Sequence, residues 1–151
     1  MSNQPPYGYP GGPQGYQGGG YPPQGAPTGK TKVLNLDYNV AAMLAYLPIC
    51  WISLVASIIW IASEPKENKF LRFHALQSLI LTGALIAVYI VLWIFGAVAI
   101  RIFFGFGLLV LLLEVAVGVG GLVLFILGAV KGYQGQMWKL PIIGDMAEKN
   151  S

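Results

Sequence analysis

The residue whose type and position most clearly suggest chemistry is Glu114, the one charged group between residues 102 and 130. An ionisable side chain inside a lipid-embedded helix costs roughly 2.5–3.5 kcal/mol or more, so it is expected to face other protein, either protonated or paired. Such a carboxyl can act as a proton or ion relay, line an oligomer, or clamp two helices together by a hydrogen bond or salt bridge. Antiparallel packing around residues 101–106 puts it near the level of Tyr89 and Trp93, with Arg101 able to reach toward it from the turn.

A second polar group lies in residues 72–82. His74, Ser78 and Thr82 recur at helical spacing with Gln77 alongside, just after Arg72. This stripe suits hydrogen bonding between helices and contact with lipid headgroups. Catalysis would need a nucleophile and an orienting acid beside His74. Ser78 sits one turn away on the same helix and Glu114 is expected much deeper, so no triad assembles. One His and one Cys, His74 and Cys50, do not supply a metal site. No phosphate-cradling glycine loop or pair of carboxylates suited to acid–base work is present. The residues therefore predict no catalytic centre, no cofactor and no metal, and an enzyme is not expected.

The elements that must position these residues follow from composition. Hydrophobic residues make up 56% of the 151 and charged ones 10%, against about 25% charged in an ordinary soluble domain. Lipid is the solvent that fits. The net charge of +3 is scattered, without the basic block that nucleic-acid binding needs. The start of the sequence lacks a charged n-region followed by an apolar h-region, so the first apolar segment is expected to serve as the insertion signal.

Residues 1–29 hold nine Gly, seven Pro, four Gln and four Tyr and no charge. A segment of that kind cannot bury enough apolar surface to offset its ordering entropy, so residues 1–36 are expected to form a disordered tail, with Tyr7, Tyr9, Tyr16 and Tyr21 as weak stickers or the whole as a solvated linker. Residues 37–149 then read as an all-α integral membrane bundle of three transmembrane helices, at about 39–62, 73–100 and 107–130. Asn35 and Asp37 are candidate N-caps. Pro48 predicts a kink near residues 45–47, and Pro65 stops the first helix. Gly96 suggests a break in the second, and Gly105 and Gly107 mark the following turn. Residues 131–149 look interfacial, with Tyr133 and Trp138 beside Lys131 and Lys139 as a belt. Small-xxx-small spacings at Gly83/Ala87, Ala116/Gly120 and Gly128/Gly132 favour tight packing, within the chain, in a homo-oligomer or with other membrane proteins.

Three spans put the two ends on opposite sides. Lys30, Lys32 and Arg101 fall on one, and Lys66, Lys69, Arg72, Lys131, Lys139 and Lys149 on the other. The positive-inside rule then places the protein in the cell membrane with its N-terminus outside and its C-terminus cytoplasmic.

Residues 67–78 (ENKFLRFHALQS) and 132–149, with Lys139, Pro141, Gly144 and Asp145 in the latter, resemble the two signatures of a family of small prokaryotic membrane proteins of unknown function, grouped with the chloroplast import component of the Tic-twenty-like family. The resemblance spans residues 37–149. It implies a multi-pass helical protein in which both motifs matter and lie on one membrane face. The expected role is a non-enzymatic scaffold or assembly, import-like component; the alternative is a small ion, proton or solute transporter built on Glu114.

Overall fold

The computed structural model describes residues 27–49 and 51–151; Cys50 and the tail expectations for residues 1–26 lie outside them. As expected, the described chain is all-α: α1 (Tyr38–Leu44), α2 (Ile52–Ser63), α3 (Lys69–Ile102), α4 (Phe104–Tyr133) and α5 (Ile143–Asn150).

The apolar stretch at residues 39–62 is two short helices, where a single kinked span was expected. Pro48 has no N–H and disfavours helix at the residue before it, so α1 closes in tight turns, Tyr46 N–H to Met43 O at 3.0 Å and Leu47 N–H to Leu44 O at 3.2 Å. Trp51 then turns the chain through a left-handed conformation (φ 62°) into α2. At about 10 and 18 Å, neither helix matches the roughly 30 Å hydrocarbon core of a bilayer. They fold back on each other as a hairpin: the Trp60 indole N–H donates to Ala41 O at 3.0 Å, deep in the core.

The hairpin begins and ends at the same end of the molecule. Residues 29–37, of which 29–36 were expected in the disordered tail, form a tight loop closed by Thr31 N–H to Leu36 O at 2.8 Å and Tyr38 N–H to Gly29 O at 3.1 Å. Lys32 N–H docks that loop on the Glu64 carboxylate at 2.8 Å, just past the end of α2. Residues 30–38 and the 64–69 connector, expected on opposite sides, thus lie at one end of the molecule, because the first apolar segment turns back on itself.

Two helices are long and apolar enough to span a membrane, α3 with 34 residues and α4 with 30. Asn68 caps α3 by accepting from Leu71 N–H. No break occurs at Gly96; its bare Cα lets Val110 approach, a Cβ there standing 3.2 Å from that side chain. The turn to α4 is the single extended residue Phe103, with Gly105 and Gly107 already inside α4. Gly107 packs against Ile100, where a Cβ would stand 2.9 Å away. α4 ends in a Schellman closure: Gly135 in the left-handed region (φ 72°), Gln136 N–H to Lys131 O and Gly135 N–H to Gly132 O.

The molecule thus has a base and a stalk. The base, where α1, α2, the start of α3, the end of α4 and α5 meet, holds the buried residues Ala41, Tyr46, Trp60, Leu71, Phe73, Phe125 and Leu140. In the stalk no residue from 82 to 120 is buried, although the segment is almost wholly apolar. An apolar surface of that extent is stable against acyl chains or protein, not against water.

A buried clasp and an intramembrane carboxylate: the candidate functional site

The polar stripe on α3 does not face headgroups. His74, Gln77 and Ser78 are fully buried, and they tie the α1–α2 hairpin to the segment that follows α4. Gln77 is the hub. Its amide nitrogen donates to Tyr46 Oη and to Trp138 O, both at 3.0 Å, and its oxygen accepts from Leu140 N–H at 3.1 Å. His74 Nε2 lies 3.1 Å from Gln136 O; a carbonyl only accepts, so this nitrogen carries the proton. Nδ1 is then an acceptor, and the Tyr46 hydroxyl donates to it at 3.3 Å. Tyr46, His74 and Gln77 thus have their polar atoms occupied within the fold. Phe70, Phe73 and Tyr46 pack edgewise around the imidazole, with ring centroids at 4.7, 5.2 and 5.6 Å.

Ser78 donates to Ala45 O, a carbonyl left without a helical partner where Pro48 ends α1. Thr82 is outside the network, bonding back to Ser78 O at 2.9 Å. Arg72 caps the C-terminal end of α2, its guanidinium donating to Ile61 O at 2.8 Å and Glu64 O at 3.3 Å.

The second motif is the other half of the clasp. Gly144 sits where a Cβ would stand 2.8 Å from Lys139 Cα and 3.0 Å from Gln77 Oε1, so only glycine lets the chain close over Gln77. Pro141 is an exposed turn residue just after buried Leu140, and Lys139 bridges to Glu148 at 2.5 Å and Asp145 at 3.9 Å. The two motifs are therefore in direct contact. Spacing did not reveal Tyr46 or Glu64. The available signal for Tyr46 was a lone phenol in an apolar segment beside a proline, since a buried phenol needs a hydrogen-bond partner.

Glu114 stands apart from this clasp. It is half-buried midway along α4, at the level of Tyr89 and Trp93 as expected, and the Tyr89 hydroxyl donates to its backbone carbonyl at 3.1 Å. The expected approach of Arg101 does not occur: Arg101 is exposed at the far tip, and among the described residues the ion pairs are those of Lys139. Two open depressions of about 400 and 300 Å³ flank the Glu114 side chain, both bordered by Tyr89.

Comparison with known proteins gives a consistent family. The chain is 36% identical over 123 residues to a UPF0132 membrane protein of Methanocaldococcus jannaschii, covering 82% of this chain and 96% of the relative. A second membrane protein of that name and organism is 36% identical over 119 residues (77% of this chain, 71% of the relative). One from Archaeoglobus fulgidus is 30% identical over 112 residues (74% and 92%). These names state a membrane location and no activity, and the location agrees with the apolar α3 and α4. No solved structure matches the chain significantly. Residues 37–147, from α1 to α5, match as one unit, and the chain belongs to the magnetosome magnetite crystal formation protein family (MamF/MmsF).

Proposed function

We propose that this protein is a non-enzymatic membrane scaffold, an assembly component whose clasped base is a rigid platform on one membrane face and whose stalk is the part that meets other membrane proteins. The observation that carries this reading is the closed network of Tyr46, His74 and Gln77: these polar groups are occupied in holding the chain together. The family name gives one context, magnetite crystal formation, from which the proposal takes only a membrane-organising role. The likeness of residues 67–78 and 132–149 to the Tic-twenty-like family extends the same reading to an import-like assembly.

The base is proposed to face the cytoplasm. Eight of the nine Lys and Arg residues (all but Arg101) belong to the segments gathered there. The positive-inside rule gives a stronger bias with both flanks of the α1–α2 hairpin on that side. In a Cys50→Ser background, single cysteines replacing Lys32, Lys66 and Lys149 are expected to react with an impermeant maleimide only after the cytoplasmic face is opened. One replacing Phe103 is expected to react from outside. Labelling of position 32 from outside would restore three full spans.

Transport is the second reading, and the unpaired, half-buried Glu114 specifically favours it. Purified protein in liposomes carrying a pH-sensitive dye separates the two. The scaffold predicts proton and ion leak equal to that of empty liposomes, whereas a flux abolished by Glu114→Gln would establish transport.

A further inference from the structure

Glu114, Gly118, Gly121, Phe125, Gly128 and Gly132 follow four-and-three spacing, one stripe along α4. In the base this stripe is covered by α1, with Gly132 against Ala42 and Gly128 against Tyr46. Above the point where Pro48 ends α1, only α3 meets it, through Leu85 at Gly121 and the Tyr89 hydroxyl at Gly118. The seam between α3 and α4 therefore continues upward as an open trough of the same character as the α1 interface, with Glu114 at its upper end. α1 fills about 10 Å of a stripe that needs roughly 30 Å to cross the hydrocarbon.

We infer that the α3–α4 seam above α1 is a lateral docking groove for a transmembrane helix of another protein that carries a lysine or an arginine at mid-depth. This rests on the scaffold reading and names the chemistry of its partner. Three observations specify the occupant. The trough prolongs an interface already filled by a helix. Its depressions are lined by apolar side chains such as Leu111, Val115 and Leu122. The acidic group bordering both, Glu114, has no ion pair among the described residues, which calls for a cationic partner. A second copy of this chain in the same orientation does not supply it, because residues 73–100 and 102–130 hold no Lys or Arg.

The test uses the full chain in phosphatidylcholine/phosphatidylglycerol liposomes with a labelled Leu/Ala single-span peptide bearing one central lysine, compared with the same peptide bearing a central leucine. Energy transfer is expected to report roughly three- to tenfold tighter association of the lysine peptide, the range an intramembrane hydrogen bond or charge pair supplies. Glu114→Gln is expected to remove that preference with the melting curve unchanged. A photo-crosslinker at Leu111, in the groove, should capture the lysine peptide, and one at Val123, on the opposite side of α4, should not. Equal association of the two peptides, a preference that survives Glu114→Gln, or capture of a second copy at Leu111 in place of the peptide would overturn the inference. None of these results depends on the flux measurement that tests the scaffold reading.

Discussion

Replacing Gln77 with leucine is expected to detach the segment after α4 and to lower stability more than any other single polar change in the base. Leucine is close in volume, so the effect comes from polar groups losing partners, not from a cavity. Three are affected: the Tyr46 hydroxyl oxygen, Trp138 O and Leu140 N–H. A buried polar group deprived of its partner costs about 1–3 kcal/mol, and water reaching the loosened segment returns part of this, so a net loss of about 3 kcal/mol is expected. Thermal unfolding in detergent measures it, and limited proteolysis between residues 134 and 142 should accelerate in parallel. A Gln77→Leu protein as stable and protease-resistant as the wild type would mean that the clasp does not hold the base.

The second large effect concerns close approach of helices. At Gly128 an added Cβ would stand 2.6 Å from two carbons of the Tyr46 ring, and that ring cannot swing aside while its hydroxyl is held by His74 and Gln77. Gly128→Ala should therefore force α1 away from α4 and cost about 1–3 kcal/mol, the usual range for overpacking. Gly120, eight positions earlier on the same helix, has nothing within 4 Å of the site of a Cβ. Gly120→Ala should be neutral or stabilise by up to about 1 kcal/mol through helix propensity alone. The pair controls for composition and helix together, and equal melting temperatures would show that α1 is not fixed against α4. Gly128→Ala combined with Tyr46→Phe should cost less than the sum of the two, because a phenyl ring without its hydroxyl bonds is free to shift.

Helix content, the two long spans and the level of Glu114 against Tyr89 and Trp93 were legible because each depends on local information: apolar run length, the absence of charge and antiparallel register. The fate of residues 39–62 was not, because Pro48 inside an apolar run is compatible with a kinked span or with a full reversal. The choice depends on distant partners, Trp60 meeting Ala41 and Ser78 capturing the carbonyl of Ala45. The opposed termini followed from that one ambiguity. Gly105 and Gly107 read as a turn, yet they serve packing against neighbouring side chains while Phe103 alone reverses the chain, since composition does not separate the two uses of glycine. His74, Gln77 and Ser78 were picked out as a polar stripe between helices. Their actual acceptors, the carbonyls of Gln136 and Trp138, are backbone atoms that no side-chain pattern encodes.

The separation between the two halves of the clasp also constrains biogenesis. His74 and its acceptor carbonyl are 62 residues apart, with the whole out-and-back course of α3 and α4 between them. When α3 first enters the translocation machinery, its imidazole and carboxamide have Tyr46 of the preceding hairpin as a partner, but their bonds to Gln136, Trp138 and Leu140 must be supplied by water or a chaperone until α4 has returned. The nascent protein therefore passes through a stage in which its most polar membrane-proximal surface is uncovered. That stage, more than the finished bundle, is where cellular surveillance would recognise a defective copy.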